Sequence, residues 1–152
     1  MLAAIRPESW NVPLFLHVLG ATLTFGATAT VALVAFAGRS VAAADRALWL
    51  RGLAFKIGLF VLVPAWFLLR IPAQWIDNKE FPDHEPGWVG VGYPVTEGGA
   101  VLIIVMLILA WLARRRLETR TAAVVPWLAT VYLVALGVAW FAMSAKPGSW
   151  GE

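Results

Sequence analysis

The amino-acid sequence predicts an all-α fold: an integral membrane four-helix bundle, N-out and C-out, with an ordered outer loop between its second and third helices. Three observations predict it. The chain of 152 residues is 61% hydrophobic and 14% charged, with a mean hydropathy of +0.76. A soluble domain is roughly half apolar and about a quarter charged, so this chain has too little polar surface to cover a water-soluble globule. Four apolar runs are each long enough to cross a bilayer, and the basic residues gather in the connections on one side. At this length the chain reads as a single transmembrane domain, residues 1–152.

The first helix is predicted from about Val12 to Ala37, a run with no Asp, Glu, Lys or Arg. The Ala42-Ala43-Ala44 stretch before Asp45 looks like the small-residue site that follows a signal peptide. However, the apolar run from Asn11 to Gly38 exceeds an h-region of about 7–15 residues, and its positive charges (Arg39, Arg46, Arg51) follow it rather than precede it. That polarity predicts a spanning helix. The second helix is predicted from about Leu48 to Trp75, interrupted by Lys56 and Arg70. The third covers about Val95 to Ala113 with Glu97 at its edge, and the fourth about Thr121 to Ala145. A helix needs about 20 apolar residues to cross roughly 30 Å of hydrocarbon, and the runs meet that length.

The connections predict the orientation. Gly38 to Ala47 is short and basic, and the third connection reads Arg114-Arg115-Arg116-Leu117-Glu118-Thr119-Arg120. With Arg51 and Lys56, eight of the twelve basic residues fall on one side, against Asp45 and Glu118 alone. The excess of Lys and Arg marks the cytoplasmic face, so both termini and the loop from about Ile76 to Pro94 are expected outside a cell membrane, the bacterial inner membrane in this reading. Trp10, Trp75, Trp88 and Trp150 are expected at the outer interface, with Trp49 and Trp111 at the inner one, where amphipathic indoles anchor a span. The outer loop, with its prolines and apolar residues, is expected to lie over the end of the bundle as a cap.

Composition also excludes chemistry. Without cysteine the chain offers no disulfide, iron–sulfur cluster or thiolate zinc site. The net charge of +3 is distributed over helix ends rather than one soluble face, so nucleic acid is not expected as a partner. There is no P-loop, dinucleotide fingerprint or nucleophile elbow. Ser144 and Lys146 stand two apart, which does not place them on one helix face.

Ionisable residues inside a span are costly and each needs a reason. Lys56 and Arg51 lie within reach of the inner interface, where a long side chain can snorkel. The outer half gathers more: His17 in the first helix, Arg70 and Gln74 in the second, Glu97 opening the third, Lys146 closing the fourth. Each helix thus contributes one ionisable side chain at about one depth. From Lys56 to Arg70 is about 21 Å of helix, which sets them at opposite edges of the hydrocarbon. Arg70 and Gln74 share a face by their spacing. At helical intervals from His17 stand Ala21, Thr24, Thr28, Val31 and Ala35, a mostly small stripe of the kind that packs against another helix, so His17 is expected to face the bundle. Two uses of the group stay open: Glu97 pairing with Arg70 or Lys146 to fix the bundle, or a ligand pocket under the loop.

The stretch Leu14-Phe15-Leu16-His17-Val18-Leu19-Gly20-Ala21 resembles the first helix of the copper-resistance D-type and HemJ-type membrane families, and that resemblance implies His17 as an axial haem ligand. The whole chain, with His17, the Arg70 to Gln74-Trp75 segment and the ending Met143-Ser144-Ala145-Lys146-Pro147-Gly148, is similar to a set of uncharacterised four-span actinobacterial membrane proteins. A bis-histidine haem needs a second intramembrane His, and His84 lies in the loop; copper needs clusters of Met, His or Cys, which this sequence lacks, so no metal site is expected unless His17 holds haem. The leading expectation is a non-enzymatic accessory or structural protein with the bilayer, and a membrane-protein partner or a second copy, around it. The alternatives are a cofactor protein holding haem or a quinone near His17, Arg70 and Gln74, and a small-solute or ion transporter lined by His17, Arg70, Glu97 and Lys146.

Overall fold

A computed structural model describes residues 11–80, 87, 89–115 and 120–145. Its helices are α1 (Asn11–Ser40), α2 (Ala44–Ile57), α3 (Val63–Glu80), α4 (Val89–Ala113) and α5 (Arg120–Ala145), with one π-helical turn, Gly58–Leu62, between α2 and α3. Because α2, the π turn and α3 run on without a break, the chain has four helices long and apolar enough to cross a membrane: Asn11–Ser40, Ala44–Lys79, Val89–Ala113 and Arg120–Ala145. The all-α, four-span fold expected from the sequence is the fold observed.

Pro64 accounts for the π turn. Lacking an N–H, it gives Phe60 O no donor, and its ring crowds that carbonyl. The helix widens by one residue upstream, where Val63 N–H reaches back to Gly58 O. Gly58 fits the wide turn against α4, because a β-carbon there would stand 3.0 Å from Leu107 Cδ2.

Small residues set the packing. The buried face of α1 reads Gly20, Thr24, Ala27, Thr28, Val31, Ala32, Ala35 and Gly38, which lets neighbouring backbones approach closely. At Gly20 the approach is so close that a β-carbon would run into the backbone of Leu68 and Leu69 on α3. Gly99 on α4 likewise forms the notch that receives the ring and hydroxyl of Tyr132, which α5 buries completely. Around Tyr132 the core comprises Val31, Leu62, Ile103, Met106 and Leu136, and a smaller cluster of Ala35, Ala54, Ala110 and Val125 continues it towards the basic end.

Many large apolar side chains are outside. Leu33 is 71% exposed and Phe60 70% exposed, an inversion that water would penalise and hydrocarbon does not. The protein is therefore an integral membrane protein whose outer surface suits contact with the bilayer. Trp49, Trp75 and Trp111 are all exposed near the helix ends, whereas Trp10, Trp88 and Trp150 lie outside the described residues.

In the bundle α1 packs on α2, α3 and α5, and α4 packs on α5 and α2. Helices α3 and α4 barely touch. The second and third spans therefore lie together at the basic end and part towards the other.

Two expected boundaries are corrected. The second span continues as helix through Ile76–Glu80, and the third begins at Val89, not Val95. Both gains come from segments expected to be loop. Pro94 lies in the second turn of α4, where it withholds a donor from the carbonyl of Gly90, an exposed residue. Residues 81–86 and 88, the remainder of the expected cap, lie outside the described residues.

Candidate functional site

Where α3 and α4 diverge, polar side chains cross the gap. Arg70, one turn beyond Trp66 on α3, donates from Nε to Glu97 Oε1 on α4 at 2.6 Å. The pair is neither buried nor free: the Arg70 side chain is 21% exposed and that of Glu97 53%. Its Coulomb gain is accordingly modest and screened by salt. The Arg70 guanidinium also lies over the ring of Tyr93, with Cζ 5.1 Å from its centroid. Tyr93 in turn donates its hydroxyl proton to Asp77 Oδ2 at 2.7 Å, returning from α4 to α3. A third bridge runs from Trp66 Nε1 to Thr96 O at 3.0 Å. On α3, then, Trp66, Arg70 and Asp77 recur at helical spacing on one face. On α4, Tyr93 and Glu97 do the same.

His17 approaches α3 from α1. Its Nδ1 lies 2.9 Å from Leu69 O, beside the half-buried ring. A carbonyl only accepts, so Nδ1 carries the proton, and in the neutral ring Nε2 keeps its lone pair. Pro72 withholds a donor from Leu68 O, the carbonyl one residue before the one that His17 engages. Close approach at Gly20, three residues along α1, brings the imidazole within reach. Further along the α1 face, Thr24, Thr28, Val31 and Ala35 are buried, while Ala21 is half-buried with His17.

Gln74 does not join the cross-helix set. Its amide nitrogen donates to Asn78 Oδ1 on its own helix at 3.0 Å. With Arg70, Ile71, Trp75 and Asn78 it lines an open depression of about 530 Å³ on the outward side of α3, where Lys79 Nζ lies 5.5 Å from the centre of the Trp75 ring. Lys146 is outside the described residues, and of the two acid–base pairings the sequence left open for Glu97, the one with Arg70 is formed.

Asp77, Tyr93, Trp66 and Thr96 were not singled out by the sequence. The signal for Asp77 and Tyr93 was helical spacing from Arg70 and Glu97, hidden because both residues fell in the expected loop. Asp77 Oδ1 is buried without a hydrogen-bond partner, which makes its bond to Tyr93 the anchor of that carboxylate.

The interior offers little to a solute. Buried Thr28 spends its hydroxyl on the carbonyl of Thr24, one turn back, at 2.7 Å. The void enclosed beside the π turn holds about 10 Å³, lined by apolar side chains including Val31, Leu62, Ile103 and Met106. That is about the room of a single water, without polar groups to hold it. Among the described residues no three His, Asp or Glu side chains stand together as a metal site.

No known protein-family model matches this chain, and neither a curated protein nor a solved structure matches it.

Proposed function

We propose that this chain is a non-enzymatic accessory or structural protein of a bacterial cell membrane, and that its polar end holds the helices in register while its apolar faces contact a membrane-protein partner or a second copy. One observation carries this reading. Four polar side chains gathered at that end are spent on neighbouring helices: His17 on Leu69 O, Arg70 on Glu97, Tyr93 on Asp77 and Trp66 on Thr96. A reacting or transporting site keeps its groups for the substrate. Extraction from native membranes in mild detergent, followed by cross-linking and sizing, tests it. A complex larger than one chain in its micelle is expected; a monomer with no co-purifying partner would refute the proposal.

In this reading the polar end faces outward, on the strength of the Lys and Arg asymmetry. Since the chain has no cysteine, an introduced one reports its side cleanly. Asn78→Cys should react with an impermeant maleimide added to intact cells, and Arg115→Cys only after lysis. The opposite pattern inverts the topology.

A second reading rests on one atom. An imidazole anchored through Nδ1–H to a backbone carbonyl leaves Nε2 in the tautomer that ligates a metal, which supports haem on His17, with a quinone as the other cofactor of this reading. Purified protein with no Soret band and no extractable quinone would remove both.

A further inference from the structure

The basic end holds a cation mounted in an unusual way. Arg114 follows the last turn of α4, its backbone N–H still bonded to Ala110 O at 3.0 Å. Its guanidinium lies against two rings from different spans: Cζ is 4.8 Å from the centroid of Phe55 on α2 and 5.6 Å from that of Trp111 on α4. A guanidinium held against aromatic rings keeps its outer N–H groups for other acceptors. Nε is buried with no hydrogen-bond partner, and Arg114 has no carboxylate among the described residues. The packing has thus fixed a planar donor whose counter-ion the described residues do not supply.

Its surroundings say what that counter-ion is. Trp111 is 48% exposed, and Ile108 and Ile104, which continue its stripe along α4, are 53% and 57% exposed. An exposed indole at the end of an apolar stripe sits at headgroup depth, with acyl chains below it. Lys56 beside Phe55 and Arg115 beside Arg114 are both exposed, and Asp45 is the one acid described at this end. A guanidinium binds a phosphate through two parallel N–H bonds, and further cations favour a ligand with net negative charge.

We propose that Arg114, held on Phe55 and Trp111 with Lys56 and Arg115 exposed at the same end, binds the phosphate of an anionic phospholipid at the junction of the second and third spans, its acyl chains lying along the Ile104–Ile108–Trp111 stripe. This site is separate from the polar end and does not depend on the function assigned to that end.

Native mass spectrometry of the detergent-purified chain, exposed to equal amounts of phosphatidylglycerol and phosphatidylcholine, tests it, with thermal melting by circular dichroism to verify that each variant is folded. The wild type is expected to retain phosphatidylglycerol about tenfold over phosphatidylcholine, and Arg114→Gln to lower that preference about fivefold. Arg114→Lys, which keeps the charge but loses the paired N–H edge, falls between them; it carries the test should the glutamine variant not fold. Arg120→Gln, exposed at the start of α5, leaves the preference unchanged. No preference in the wild type, a preference that survives both Arg114 substitutions, or an equal loss in Arg120→Gln overturns the proposal. So does displacement of the lipid by excess inorganic phosphate, which would mark a site for the free anion.

Discussion

The second and third spans meet in two ways. At the basic end α2 and α4 pack side by side, and Arg114 of one span rests on Phe55 of the other. At the opposite end α3 and α4 part, and side chains join them: Trp66 to Thr96, Arg70 to Glu97, Tyr93 to Asp77. The difference teaches how a bundle in hydrocarbon is held. Where backbones come close, dispersion between small residues suffices, because lipid gives helices no hydrophobic reason to associate. Where they diverge, only long polar side chains span the gap. Such bonds are directional, so they specify register more than they add stability, averaging roughly 0.6 kcal/mol each in membranes.

The contrast can be broken most severely at a close-packed point. Gly20→Leu places a side chain into the Leu68–Leu69 backbone, which no rotamer avoids. We expect a loss of about 3 kcal/mol or more, or no folded protein, in detergent unfolding. Next comes Tyr93→Phe, which leaves the Asp77 carboxylate without its donor while Oδ1 is already buried and unbonded. The expected cost is about 1–3 kcal/mol in the same assay, and Asp77→Asn in the Tyr93→Phe background should recover part of it. An unchanged unfolding midpoint in Tyr93→Phe would show that this bridge adds nothing.

The Arg70–Glu97 pair ranks lower because Glu97 is half exposed. A double-mutant cycle with Arg70→Ala and Glu97→Ala should give a coupling of about 0.2–1 kcal/mol that shrinks as salt rises. A salt-independent coupling well above that range would mean the pair is drier than its exposure indicates. Smallest of all is Lys56→Gln, exposed at the basic end, with an expected change within about 0.5 kcal/mol. A larger loss there would erase the distinction between a bridged end and a packed one.

Much of the fold was legible in the sequence, and less of the candidate site. The four spans follow from unbroken apolar length, which the bilayer demands of any helix that crosses it. The inward face of α1 was legible too, because Thr24, Thr28, Val31 and Ala35 repeat at helical spacing over a long uninterrupted run. On the second span the same reasoning fails. The π turn before Pro64 adds a residue, which rotates all that follows by about 100° relative to a continuous α-helix. Spacing counted through Gly58–Leu62 therefore misassigns the face that α3 presents. Within α3 alone, Arg70 and Gln74 do share a side, but a step of four residues overshoots a full turn by about 40°, and their partners differ: Glu97 for one, Asn78 for the other. Asp77 and Tyr93 were missed for another reason, since polar residues and Pro94 made a helical segment read as loop.

The sequence by itself determined that this is a protein of four apolar spans, because no other solvent than hydrocarbon accepts such a composition. Only the tertiary structure decided what its intramembrane polar groups do. His17 meets Leu69 O because Gly20 admits α3, and Glu97 meets Arg70 because α3 and α4 diverge by a side chain's length. Those pairings depend on helix azimuth and separation, which close packing sets and which periodicity within a single helix does not contain.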